Sequence, residues 1–236
     1  MSYIPNEYWT QRGKDYKKNF KYDDKFELQE QILIEYLKKY SFESVLEVGC
    51  GFGRITKLLL NNFPGIKEYF AFDLSAHQVE NAKLNIDGVK NNEIVQFAVS
   101  DIQSLQITKK YDLVIASEVL MHVLPSEIEQ IIQKLVGFST KYVCNIDWFE
   151  EKIPKKAESF NFIHQYERIY NDIPSIKKVN RIPIFKKKGF LSKVDVKQSI
   201  FFSELGDWWI LVTMISCIKI PSSKPDHDHS RNIMLF

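Results

Sequence analysis

The sequence predicts an α/β fold, a mostly parallel sheet with helices on both faces. Three observations carry this. Short apolar runs alternate with segments of helical period from Ser44 to Phe149. The first run, SVLEV, opens through a glycine-rich turn, GCGFG, into a helical pattern. At 236 residues, with 44% hydrophobic and 26% charged, the chain suits one globular domain with a sizeable core.

The elements follow in order. Residues 1–25 mix Tyr3, Tyr8, Trp9, Tyr16, Phe20 and Tyr22 with charges, a poor core segment that reads as a lid. Phe26 to Tyr40 carry apolar residues at helical spacing. SVLEV (44–48) is the first strand, and 52–63 a helix ended by Pro64-Gly65. EYFAFDL (68–74) is the second strand, before a helix that Ser75 is placed to cap. EIVQFAV (93–99), YDLVIAS (111–117) and KYVCNIDWF (141–149) are the third, fourth and fifth strands, with a helix after Pro125. Residues 150–180 show no clear period and read as an insertion. RIPIFKKKGF reads as a short helix ended by Gly189, and 193–202 with 207–220 as a closing hairpin. The domain is expected over 26–220 and a loose tail over 221–236.

Net charge is +2, which argues neither for nor against nucleic acid or membrane. The lysine runs are mixed with acids and aromatics and read as solvated faces, and no separate basic nucleic-acid module is evident. Cys50, Cys144 and Cys217 lie far apart, so a disulfide framework is not expected and a reducing compartment fits. No secretory signal is visible, and the apolar stretch 208–220 is too short for a membrane span. The expected location is the cytoplasm. His227 and His229 in the tail form only a weak metal-ligand pattern, and no metal site is expected. The sequence does not set the oligomeric state.

The glycine turn carries the chemistry. Gly49, Gly51 and Gly53 permit positive φ and close approach of a ligand, and the helix amino terminus favours an anionic group. The spacing is G-x-G-x-G with Arg54 next, unlike the G-x-G-x-x-G of dinucleotide folds, which argues against a nicotinamide oxidoreductase. Asp73 ends the second strand, where a carboxylate can accept from two ribose hydroxyls. Asp101 follows the third, placed to meet an adenine amine. Glu47 is an acid in an apolar run, costly unless it faces the cleft or a partner.

Together VLEVGCGFGRIT, FDLS, VSDIQSL and YDLVIASEVLMHVLP resemble class I S-adenosylmethionine-dependent methyltransferases, over 26–149 and, with the terminal strands, to about 220. The resemblance implies a three-layer, Rossmann-like seven-stranded sheet with strand seven antiparallel between five and six. It implies S-adenosylmethionine as cofactor and S-adenosylhomocysteine as product. The turn with Glu47, Gly49, Cys50, Gly51, Gly53 and Arg54 would hold the methionine part. Asp73 with Leu74 would hold the ribose, Asp101 with Ile102 would border the adenine, and Ser117 and Glu118 would line the cleft. Many relatives have Asp where Glu47 stands. The opening NEYWTQRGKDY resembles the lid of small-molecule methyltransferases, so Trp9 and Arg12 would meet the cofactor and Tyr8 the substrate.

His122 and His164 are candidate bases, and Asp147, Trp148 and Tyr166 candidates for the acceptor side. Methyl transfer from a sulfonium needs alignment more than acid–base help, so no triad is required. SEVL stands where DNA amino-methyltransferases carry [DN]-P-P-[YFW], and no Pro-Cys nucleophile is present, which disfavours DNA-base substrates. The expected activity is methyl transfer to oxygen or nitrogen of a small molecule. A protein or lipid-linked acceptor, or a binding module without turnover, stays open.

Overall fold

A computed structural model describes residues 3–150, 160–188 and 192–206. The elements run α1 Pro5–Gly13, α2 Tyr16–Asn19, α3 Asp24–Leu37, β1 Ser44–Val48, α4 Arg54–Asn62, β2 Glu68–Asp73, α5 Ala76–Ile86 and β3 Val95–Val99. They continue with β4 Tyr111–Ser117, α6 Ile128–Gly137, β5 Ser139–Trp148, α7 Tyr166–Asn171, β6 Ile176–Lys188 and β7 Ser192–Leu205. One seven-stranded sheet has the order β3-β2-β1-β4-β5-β7-β6. Strands β1 to β5 pair in parallel, while β7 is antiparallel to both β5 and β6.

Both faces of the sheet are covered because its central strands are apolar on both sides. Leu46, Val114 and Ala116 join a buried cluster with Ile131, Ile132 and Leu135 of α6 and Tyr170 of α7. Val45, Leu113 and Ile115 face a second cluster with Leu33 of α3, Leu59 of α4 and Ala82 of α5. Helix α3 starts where Asp23 accepts from the backbone N–H of Lys25 and Phe26, at 3.0 and 3.4 Å. No helix among the described residues is long and apolar enough to cross a membrane.

Three sequence expectations need correction. RIPIFKKK is not a helix but the second half of β6, with Ile184 fully buried and Ile182 packed on the second cluster. Pro183 is tolerated because, among the described residues, β6 pairs only with β7, so an edge strand lacks one donor, and the register shifts between Pro183 and Phe185. The hairpin partner of 193–202 is therefore β6, while 207–220, the tail and its histidines lie outside the described residues. Ser75 does hold the N-cap position of α5, but its hydroxyl caps nothing. Helix α1 lies against it so closely that a Cβ on Gly13 would stand 2.3 Å from Ser75 Oγ.

Candidate active site

The order of the sheet reverses at β1, whose neighbours β2 and β4 continue in opposite directions, and open α/β sheets bind ligands at the carboxyl ends of such strands. A cavity of about 390 Å³ opens there, floored by the glycine turn and roofed by α1 and residues 160–161. Gly49 has φ +64, and a Cβ there would meet Val119 Cγ2 at 2.6 Å, so the turn lies against the segment after β4. Gly51 has φ +54 and open space around it, which leaves bare backbone facing the cavity.

Asp73 is held at both oxygens: Oδ2 accepts from Gly51 N and Oδ1 from Ser75 N, each at 2.8 Å. Burial raises its pKa, opposed by these two N–H groups. Each oxygen keeps a lone pair for a further donor. Glu47 is 3% exposed and accepts from Thr56 Oγ1 and Tyr69 OH, both at 2.6 Å. Burial pushes its carboxyl up to about 7 despite those bonds. Asp101 turns back on its own loop, accepting from Ser104 N at 2.6 Å and Ser104 Oγ at 2.9 Å. Partial burial opposes its ionisation but is outweighed by bonds from Ser104 and Gln103 and by Lys134, so its carboxyl sits below the usual range.

The far side is built by distant segments. Arg54 donates to Glu30 at 2.9 Å, Gln29 at 2.8 Å and Ser117 Oγ at 3.2 Å. Glu118 adopts φ +56 and accepts from Lys25 Nζ at 2.9 Å and from Gln198 Nε2. His122 Nδ1 donates to the Phe160 carbonyl at 2.8 Å, and its ring centroid lies 4.3 Å from that of Trp9. Burial lowers the His122 pKa to about 4, so the ring is neutral at pH 7, with Nδ1 protonated and Nε2 carrying the lone pair. Trp9 Nε1 donates to Tyr3 OH, which donates to the His122 carbonyl, both at 3.0 Å. The Arg12 guanidinium lies 5.8 and 5.9 Å from the Tyr8 and Trp9 ring centroids.

Of the residues singled out from sequence, Glu47, Gly49, Cys50, Gly51, Arg54, Asp73 and Leu74 line the cavity. So do Asp101, Ile102, Ser117, Glu118, His122, Trp9 and Arg12. Six stand outside it. Gly53 packs α4 onto α5, where a Cβ would lie 3.1 Å from Ala82. Tyr8 stacks on Phe160 at 4.9 Å from behind the cavity lining. His164 is 4% exposed and donates from Nε2 to the Val123 carbonyl at 3.1 Å. Asp147 is fully buried beneath the cavity, accepting from Met121 N at 3.1 Å and Asn145 Nδ2 at 2.7 Å, and burial pushes its carboxyl up to about 7. Trp148 donates to Glu150 at 2.9 Å, and Tyr166 is buried with its ring 4.8 Å from Phe201. Sequence reasoning missed Lys25, Gln78, Phe160 and Asn161, which also line the cavity. Only Gln78 had a local signal, five residues after Asp73 on the inner face of α5.

Residues 46–140 match a family model described as a methyltransferase domain. A malonyl-[acyl-carrier protein] O-methyltransferase of Ilyobacter polytropus is 36% identical over 74 residues, 31% of this chain and 27% of that protein. One from Acetivibrio thermocellus is 38% identical over 73 residues, 31% of this chain and 24% of that protein. The aligned stretch thus spans about a quarter of the curated relatives' length. Two solved structures share the fold. The magnesium protoporphyrin IX methyltransferase ChlM of Synechocystis, with bound SAH, aligns at TM-score 0.62 and 15% identity, over 85% of this chain and 98% of its own. The N-methyltransferase NodS of Bradyrhizobium japonicum, with SAH, aligns at 0.65 and 14%, over 86% and 100%.

Proposed function

We propose that the chain is a class I S-adenosylmethionine-dependent methyltransferase, an enzyme moving a methyl group from S-adenosylmethionine to oxygen or nitrogen of a small-molecule acceptor. The observation that carries this reading is Asp73, clamped by Gly51 N and Ser75 N at the floor of a cavity where the sheet order reverses.

The residues fit the cofactor. Asp73 keeps acceptor capacity for ribose hydroxyls, and Gln78 Oε1, a buried oxygen without a partner, lines the same end of the cavity. The bare backbone of Gly51 leaves room for the methionine part, and Arg12 at the rim offers a cation to its carboxylate. When bound, S-adenosylmethionine supplies a methyl group on a sulfonium, a leaving group that needs no acid. The chain's own contribution is alignment and exclusion of water, an effect that reaches roughly 7–11 kcal/mol in favourable systems. Trp9 of the N-terminal lid and Phe160 of the facing segment close the roof. Neutral His122 presents Nε2 as a hydrogen-bond acceptor. With a pKa of about 4 it is a weak base, suited to orienting a protic acceptor rather than removing its proton beforehand. Buried free thiols at Cys50 and Cys144 support a reducing, cytoplasmic setting.

Calorimetry with S-adenosylmethionine, S-adenosylhomocysteine and NAD tests the proposal. Both sulfur compounds should bind and NAD should not; failure of both to bind removes it. A carrier-linked acceptor is the second reading, favoured by the similarity to malonyl-[acyl-carrier protein] O-methyltransferases at 36 and 38% identity. Turnover on a carrier-bound acyl group but not on its free acid would select that reading.

A further inference from the structure

Residues 160–162 form a strap pinned twice to the turn after β4. His122 Nδ1 donates to the Phe160 carbonyl at 2.8 Å, and Phe162 N donates to the Met121 carbonyl at 2.7 Å. Between the pins Asn161 lines the cavity, and its Oδ1 is buried with no hydrogen-bond partner. Leaving such an oxygen unpaired costs about 1–3 kcal/mol, and native interiors rarely do so.

Five half-buried donors on this side are already engaged. The His122 N–H serves Phe160, the Trp9 N–H serves Tyr3, and the Tyr3 hydroxyl serves the His122 carbonyl. Met121 N serves Asp147, and Lys25 serves Glu118. Arg12 is exposed at the rim, with its guanidinium over aromatic rings. A side-chain carbonyl can only accept, so the partner it lacks is a donor, and a ligand in the cavity can supply one.

We propose that Asn161 recognises the methyl acceptor, its side-chain oxygen taking a hydrogen bond from an O–H or N–H group of a molecule whose apolar body rests on Trp9, Phe160 and Met121. This deepens, and rests on, the methyltransferase reading. It narrows the acceptor to apolar or aromatic compounds carrying a protic group, and it disfavours their methyl-capped counterparts, which leave Oδ1 unpaired.

The test uses the full chain saturated with S-adenosylhomocysteine and two matched probe pairs: phenol with anisole, and indole with N-methylindole. Ligand-observed NMR titration should show each protic probe binding at least about fivefold more tightly than its capped partner. Asn161→Leu should erase that preference, while Asn161→Asp, which keeps an acceptor oxygen, should retain it. The preference surviving in Asn161→Leu overturns the inference. So does failure of both protic probes to bind at ~10 mM, the weakest affinity expected of such fragments. If S-adenosylhomocysteine itself does not bind, the methyltransferase reading falls and takes this inference with it. If it binds and the probes show no preference, only the inference falls.

Discussion

The two halves of the cavity are built in different ways. In the half under β1 and β2, partners are near in sequence: Ser75 N reaches Asp73 across 2 positions, Thr56 reaches Glu47 across 9, and Gly51 reaches Asp73 across 22. In the half under β4 and β5 they are remote: His122 meets Phe160 across 38 positions, Glu118 meets Gln198 across 80 and Lys25 across 93, and Tyr3 meets His122 across 119. One half follows from a turn and two strand ends. The other exists only once α1, α3, β7 and the strap have docked. A binding site for a common ligand can be written locally, whereas one for a variable ligand is assembled from afar.

The largest expected effect lies in the local half. Asp73→Ala should weaken S-adenosylhomocysteine binding by about a thousandfold, ~4 kcal/mol, because it removes the carboxylate proposed to accept from the ribose and frees Gly51 N and Ser75 N. Calorimetry reads this, and a loss below tenfold would break the contrast.

The next prediction compares a buried acid from each half. Glu47 rises from 4.5 to about 7 and Asp147 from 3.8 to about 7, both chiefly by burial. The folded carboxyls hold their protons to higher pH than the unfolded ones. Each contribution is therefore fully present at low pH and is lost as pH rises through about 7. Between pH 5 and 8, Glu47→Gln and Asp147→Asn should each gain stability relative to the wild type, on the order of 3 kcal/mol. Urea titrations at each pH check this; parallel curves would contradict it.

Gly13→Ala separates lid from floor. The new Cβ would collide with Ser75 and lift α1, so S-adenosylhomocysteine affinity should drop about tenfold, the ~1–2 kcal/mol typical of overpacking. The smallest effect tests the backbone at 118. With φ at +56, Glu118→Asn should fold as well as or better than Glu118→Val by ~1–2 kcal/mol in chemical denaturation, because β-branched residues resist left-handed backbone.

The same division decides what the sequence discloses. SVLEV and YDLVIAS are legible to the residue as β1 and β4, because buried parallel strands are continuous apolar runs bounded by turns. Asp73 and the glycines follow from spacing alone. Glu47 is legible as an acid needing a partner, but Thr56 and Tyr69 are not, since they arrive from α4 and β2. Asp147, at the end of a strand, looks like an acceptor contact. Yet the turn after β4 folds over it, and the carboxylate holds Met121 N instead. RIPIFKKK misleads for another reason: proline and lysines mask a period-two strand whose stability comes from pairing with β7.

The strap is tied down through the main-chain atoms of Phe160 and Phe162, so its anchorage is indifferent to which side chains it carries. Glu118, by contrast, is constrained in both backbone and side chain. Descendants of this scaffold can therefore change diet by rewriting positions 160–162 without dismantling the machinery beneath, and divergence among its kin should concentrate there.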